Sequence, residues 1–349
     1  MTKIPVGVLG ATGAVGQRFV QLLAAHPWFE VAEVAASDRS AGKPYGEACA
    51  WRLPGGPPPA VAALPVTTCD VAFRSRLLFS GLDSTVAGEI ESALAAKGHA
   101  VVSNSRNHRM DRDVPLLIPE VNPDHLAALE PQRRRTGGGY IVTNPNCTVV
   151  GLAMALAPLE RGFGIEAAAV VTLQALSGAG YPGVASLDVV DNVIPFIGGG
   201  EEEKIESEPR KILGRFESGA FQPAGFVVTA SVHRVAVSDG HTLSAFVRLR
   251  RAAAPEDAAA LLRAFRGEPQ ERDLPSAPRQ PIHVLDAPDR PQPRLDRDRE
   301  RGMAVSVGRI RRDGVFHLKL EALVHNTIRG AAGAAILNAE LLAARGLLP

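Results

Sequence analysis

A short apolar run, Ile4-Pro5-Val6-Gly7-Val8-Leu9, leads into Gly10-Ala11-Thr12-Gly13-Ala14-Val15-Gly16, and helical apolar spacing follows from Gln17 to Ala25. Strand, glycine turn and helix in that order open a βαβ unit, and a second strand over 29–36 continues it. Glycines in such a turn let the backbone bend tightly and approach a pyrophosphate seated on the helix N-terminus. The spacing is GxxGxxG rather than GxGxxG, so the triplet alone also suits any α/β protein with a glycine-rich helix start. The flanking strand and helix turn the reading toward a dinucleotide site.

The rest of the chain extends this to two domains. Its 349 residues exceed what one core usually spans, and 46% hydrophobic against 21% charged residues describes a soluble globular protein. A net charge of +1 supplies no global field for nucleic acid or a membrane surface. Three cysteines without metal-type spacing point to a reducing cytoplasm, with no disulfide framework and no metal site. There is no signal-peptide core and no apolar run of ~18 residues.

Strands over 71–81 and 99–103 flank a helix through Ala87 to Lys97, so βαβ alternation predicts a mostly parallel sheet. Beyond the second strand, Ser37-Asp38-Arg39-Ser40-Ala41-Gly42-Lys43 can cradle a ribose 2′-phosphate, although Asp38 can instead accept from a free 2′-hydroxyl. Arg106 and Arg109 follow a strand end and are candidate anion binders. Arg133-Arg134-Arg135 reads as an exposed loop, and Pro269 to Arg301 as a long surface connection. After residue 146 the pattern changes to strands with longer connections. The expected fold is α/β: a Rossmann-type dinucleotide-binding domain over 1–146, rejoined by a C-terminal helix over 327–349, plus an α+β catalytic and dimerisation domain over 147–326.

Asn144-Pro145-Asn146-Cys147-Thr148 precedes the apolar run Val149 to Leu156, which places a thiol at a helix start. Unpaired N–H groups and the helix dipole favour an anion there, so the thiol pKa is expected below its usual ~8.5. The competing reading is a small, buried, inert side chain. A covalent cysteine also needs a proton-handling group, oxyanion donors and substrate anchors. Among nine histidines, His241 follows the turn Ser238-Asp239-Gly240, and a hairpin would bring it beside Arg234; it suits a solvent-facing turn equally well. Gln174 ends a strand before the glycine-rich Ser177-Gly178-Ala179-Gly180. Glu201 and Lys204, at i and i+3, share a helix face and pair an ammonium-binding with an anion-binding charge.

Taken together, Gly10-Ala11-Thr12-Gly13, Ser37 to Lys43, Pro119-Glu120-Val121-Asn122, Asn144 to Cys147, Glu201-Glu202-Glu203-Lys204, Asp239-Gly240-His241 and Asn326 to Gly333 occur in family order. Over almost its whole length the chain resembles the aspartate-β-semialdehyde dehydrogenase family in its archaeal and fungal branch. The resemblance implies Cys147 as nucleophile, His241 as acid/base catalyst and Gln174 as the orienting amide. It gives Arg234 the substrate α-carboxylate, Glu201 the α-ammonium, and Arg109 with Lys204 the phosphate. Cofactor contacts carry over to Gly10, Thr12, Gly13, Ala14 and Val15, to Ser37, Arg39 and Ser40 at the 2′-phosphate, and to Ser177, Gly178 and Asn326 at the nicotinamide.

The implied reaction is the reversible reductive dephosphorylation of L-aspartyl-4-phosphate to L-aspartate-4-semialdehyde with NADPH. It passes through a Cys147 thioester, with phosphate as co-substrate of the reverse direction. Such a step feeds lysine, threonine, methionine and isoleucine synthesis, and the family forms homodimers or homotetramers through the second domain. Asp38 departs from the family pattern and bears on NADP preference. Malonyl-CoA reductase is the alternative of the same architecture; Glu201 and Arg234 favour an amino-acid substrate over it. N-acetyl-γ-glutamyl-phosphate reductase carries glycine where this chain has Asn146. A non-catalytic NADP-binding protein would have no use for so complete a nucleophile and anchor set.

Overall fold

The computed structural model describes residues 2–349. Strands β1 (Ile4–Leu9), β2 (Phe29–Ala35), β3 (Val66–Thr67), β4 (Leu77–Ser80), β5 (Ala100–Ser103) and β6 (Tyr140–Thr143) form one sheet in the order β3-β2-β1-β4-β5-β6. Every pairing is parallel. All residues of β4, β5 and β6 are buried, as expected of parallel strands covered on both faces. The helices Ala14–Leu23 and Gly333–Ala344 share one apolar cluster with Val6, Val8 and Phe79. The helix Ser84–Ala96 closes the other face, where Leu94 and Ala95 meet Leu9, Leu78 and Val101. Strand order reverses between β1 and β4, the switch point at which open α/β sheets bind ligands.

The glycine turn lies at that switch point. Gly10 has φ +69°, and a Cβ on Gly16 would lie 2.2 Å from the Gly10 carbonyl oxygen and 2.6 Å from the Ala11 Cα. Helix and strand touch backbone to backbone there, which leaves Gly13 and Ala14 exposed at the helix start.

The second sheet is mixed. It contains β7 (Ile165–Gln174), β8 (Ile194–Pro195), β11 (Val227–Arg234), β12 (His241–Leu249), β13 (Ile282–Leu285), β14 (Val305–Arg312) and β15 (Leu318–Val324), in the order β13-β14-β15-β12-β7-β11-β8. A separate hairpin joins β9 (Arg215–Glu217) to β10 (Ala220–Gln222). The helix Cys147–Phe163 packs on one face and is buried from Thr148 to Leu159. The other face is open: alternation along β7 leaves Val171 and Leu173 38% and 42% exposed.

Three sequence expectations change. Arg234 and His241 do not form a hairpin, because β7 runs between β11 and β12 and pairs with both. Alternating patterns report which face a strand buries, and not which strand is its neighbour. Arg133 to Arg135 lie on the helix Leu129–Thr136 rather than a loop, with the Arg133 guanidinium 4.8 Å from the Tyr140 ring centre. The 269–301 segment contributes β13, which extends the sheet by pairing parallel with β14.

Glu120 and Arg329 meet at 2.6 Å with both side chains fully buried. Removing one partner of such a pair leaves an uncompensated buried charge and costs about 3–5 kcal/mol, whereas a well-packed apolar pair in both places is close to neutral. Glu120→Leu is therefore expected to lose stability of that order in chemical denaturation, and Glu120→Leu with Arg329→Met to recover most of it. A Glu120→Leu loss under about 1 kcal/mol would show that the pair does not carry this region.

Candidate active site

Strand β6 delivers the turn Asn144-Pro145-Asn146 to Cys147, the first residue of the next helix. Asn146 caps that helix: its Oδ1 accepts from the N–H groups of Thr148 (2.9 Å) and Val149 (3.4 Å). The Asn144 amide donates to Asn104 Oδ1 at 2.8 Å and to the Ala331 carbonyl at 2.9 Å, and its oxygen accepts from Asn338 at 2.6 Å. Gly330 lies against the thiol residue, since a Cβ there would fall 2.8 Å from the Cys147 Cβ.

His241, at the head of β12, is fully buried, and its Nε2 lies 3.2 Å from the Cys147 Sγ. The Ala175 N–H donates to His241 Nδ1 at 3.0 Å. With that lone pair committed, the proton of the neutral ring resides on Nε2, which faces the sulfur as a donor. Burial pushes His241 down to about 3, and the charges of Arg234 and His325 add to the fall. A second ring proton is thus opposed from both sides.

The thiol corrects its sequence expectation. Burial pushes Cys147 up to about 12, the Glu201 carboxylate adds to the rise, and Arg109, Lys204 and the Thr148 N–H pull in the opposite direction. The helix start acts as foreseen, but desolvation and a like charge supplied by the fold outweigh it. At neutral pH the free site holds a thiol and a neutral imidazole.

Glu201 accepts from Asn146 Nδ2 at 2.9 Å and pairs with the Lys204 ammonium one turn along the helix Glu201–Ile212. Gln174, 2% exposed at the end of β7, brings its Nε2 to 3.5 Å from the same carboxylate. Arg234 at the end of β11 anchors its Nη1 on the Ala175 carbonyl at 2.6 Å. A Cβ on Gly178 would lie 2.9 Å from both Arg234 Nη1 and His241 Cε1, so loop 176–180 reaches the reaction centre through a glycine. Arg109 ion-pairs with Glu208 at 3.0 Å and donates to the Asn104 carbonyl at 2.8 Å.

Thr12, Gly13, Ala14 and Ser177 line one cleft of about 480 Å³ between the glycine turn and loop 176–180. Asn326 ties its walls together, donating to Ser177 Oγ at 2.8 Å and accepting from the Gly240 N–H at 2.9 Å. Gly10 shapes this turn from below, and Val15 is half-buried in its helix. Ser37 and Asp38 border a second cleft of about 520 Å³ with apolar walls at Leu82, Val86 and Ile90. Arg39 projects exposed from the same turn, which the Ser40 N–H closes onto the Ser37 carbonyl at 2.8 Å. A pyrophosphate-sized approach at Gly13, a polar turn at the end of β2 and an apolar slot beside it fit a dinucleotide.

Sequence reasoning did not single out the side chains of Asn146, Glu208 and Lys211. Glu208 and Lys211 continue the stripe Glu201, Lys204 at helical spacing, and that periodicity was the available signal.

Two family models match the chain: the semialdehyde dehydrogenase NAD-binding domain over residues 5–129, and the semialdehyde dehydrogenase dimerisation domain over 156–329. Fold and site together therefore define a semialdehyde dehydrogenase. The chain is 50% identical to the aspartate-semialdehyde dehydrogenase of Methanothermobacter thermautotrophicus, over 97% of this chain and 99% of that one. It is 48% identical to the Schizosaccharomyces pombe enzyme of the same name, over 98% and 99%. The crystal structure of the Candida albicans aspartate-semialdehyde dehydrogenase with NADP superposes with a TM-score of 0.92 at 45% identity, covering 99% of this chain and 100% of that one. The chain belongs to the aspartate-semialdehyde dehydrogenase family.

Because the thiol is pushed up, alkylation of Cys147 by iodoacetamide in the free protein should climb about tenfold per pH unit from 7 to 10 without a plateau, read by mass spectrometry. A plateau between pH 6 and 8 would mean that the resting sulfur is already a thiolate.

Proposed function

We propose that this protein is an NADP-dependent aspartate-semialdehyde dehydrogenase that converts L-aspartyl-4-phosphate to L-aspartate-4-semialdehyde through a Cys147 thioester, reversibly and with phosphate as co-substrate. The observation that carries the reading is the 3.2 Å approach of His241 Nε2 to the Cys147 Sγ, in a site with separate cationic and anionic anchors. Gly10, Thr12, Gly13, Ala14 and Val15 would hold the cofactor pyrophosphate, Ser37, Arg39 and Ser40 its 2′-phosphate, and Ser177, Gly178 and Asn326 its nicotinamide. When bound, NADPH supplies hydride to the thioester carbon.

Arg234 is suited to the substrate α-carboxylate, and Glu201 to its α-ammonium. That ammonium would neutralise the charge that helps to hold the thiol up, so substrate binding itself favours the thiolate. Arg109 and Lys204 would then meet the phosphate. Asn146 already occupies the Thr148 and Val149 N–H groups, which leaves the Cys147 N–H, with the Gln174 amide, for the developing oxyanion. The acid/base role implied for His241 narrows accordingly: the thiol proton would pass to solvent as substrate binds, and the neutral ring, keeping its proton, would donate a hydrogen bond from Nε2 to the thiolate and then to the adduct oxygen.

The division at 146/147, with the C-terminal helix packed against the first sheet, would leave the hydride donor and the thiol on opposite sides of one seam. The open sheet face bearing Val171, Leu173 and Val227 is suited to a second copy in a homodimer, or a homotetramer built from dimers. No helix among the described residues is long and apolar enough to cross a membrane. Three free cysteines suit a reducing cytoplasm.

Phosphate-dependent NADP reduction by aspartate semialdehyde should be robust, and NADPH oxidation by malonyl-CoA absent; the reverse pattern would sink the assignment. Cys147→Ser should abolish turnover and leave NADP binding unchanged. For His241, the acid limb of kcat should lack an inflection near the ordinary histidine value, and His241→Ala should lose about 10²–10⁴ in kcat. A clear inflection near 6.5 would restore a titrating acid/base.

A further inference from the structure

We infer that Glu208 is a positioning residue that joins the phosphate-side cation to the nucleophile turn, so that both are held by one carboxylate. Its Oε2 accepts from the backbone N–H of Asn146 at 2.6 Å, and its Oε1 pairs with Arg109 Nη1 at 3.0 Å. Glu208 is 1% exposed and Arg109 8%. A buried carboxylate is tolerated only when its oxygens are satisfied, and here each oxygen has one partner of different function.

The surrounding contacts leave these partners little freedom. Arg109 Nη2 donates to the Asn104 carbonyl at 2.8 Å, which fixes the plane of the guanidinium. One turn further along the same helix, Lys211 donates to the carbonyls of Arg109, Asp111 and Val114 at 2.7, 2.7 and 2.8 Å. The loop bearing Arg109 is thus clasped by two side chains of the helix that also bears Glu201 and Lys204. On its other side, Glu208 takes the N–H of the residue whose side chain caps the Cys147 helix, and whose amide also holds Glu201. Glu208 pairs with Arg109 and with the Asn146 N–H, and its own oxygens are spent on those two partners. It acts through Arg109 and Asn146, and a shift of about 1 Å at either is enough to cost up to 10²-fold in rate.

The assignment rests on the reading of Arg109 as the phosphate-side cation, and the test separates the two. Glu208→Gln, Arg109→Leu and the double variant are compared in the full-length protein by two measurements: the phosphate KM in semialdehyde oxidation, and the rate of Cys147 alkylation by iodoacetamide without substrate. Glu208→Gln preserves shape but turns an amide toward one partner. It should raise the phosphate KM about tenfold and change the alkylation rate at least threefold, with NADP affinity unaltered. Arg109→Leu should raise the phosphate KM and slow alkylation, because the Arg109 charge draws the thiol down. The double variant should be no worse than Arg109→Leu in phosphate KM, while differing from it in alkylation at least threefold, as Glu208→Gln differs from the parent.

Additive effects on phosphate KM, or unchanged alkylation in Glu208→Gln, would overturn the proposal. An unchanged phosphate KM in Arg109→Leu would remove Arg109 as the phosphate cation, and the alkylation comparison would then decide the hold of Glu208 on the nucleophile turn by itself. If Glu208→Gln alone does not fold, the double variant, which lacks the stranded buried charge, carries the same comparison against Arg109→Leu.

Discussion

A chain of three amides, two of them fully buried, holds the turn on which this site depends. Asn338 donates to Asn144, and Asn144 donates to Asn104 and to the Ala331 carbonyl. Asn144 and Asn338 cannot turn to water, so their bonds must be made inside the fold or lost at the full desolvation cost. Asn144 follows β6 and precedes the proline step into the Cys147 helix, Asn104 follows the neighbouring strand, and Asn338 lies on the C-terminal helix. The position of the sulfur is therefore set by three distant stretches of chain.

The chemistry follows from how that turn is surrounded. At the sulfur, desolvation and the Glu201 charge outweigh the helix start, and the ring beside it is held neutral by burial and the Arg234 charge, its Nδ1 already taken by the Ala175 N–H. The Lys204 ammonium already pairs with Glu201, and burial still outweighs the cations around the thiol.

Much of this was legible in sequence, for reasons that differ along the chain. Gly10 to Gly16 announced the first domain because a strand, a tight turn and a helix must be consecutive to make it. Cys147, His241 and Arg234 could be named as candidates from their places at element ends. Their meeting could not be derived from spacing: β7 separates the strands bearing Arg234 and His241, and Ala175, just after β7, ties both together through its carbonyl and N–H, with His241 alone reaching the sulfur. The thiol was misjudged because the local term, the helix start, is visible in five residues, whereas burial and the Glu201 charge belong to the folded chain. Glu208 was passed over in a helix rich in acidic residues, where charge looks like solvation until the partner loop is seen.

The Ala331 carbonyl and Asn338 reach Asn144 across 187 and 194 residues of sequence. Closing loops of that length comes late in folding, after local contacts have formed. Chains emerge from the ribosome N-terminus first, so Cys147, at the head of its helix, exists well before the segment that seats it. A nascent chain that has made the whole first sheet therefore still lacks the contacts that fix the thiol's place.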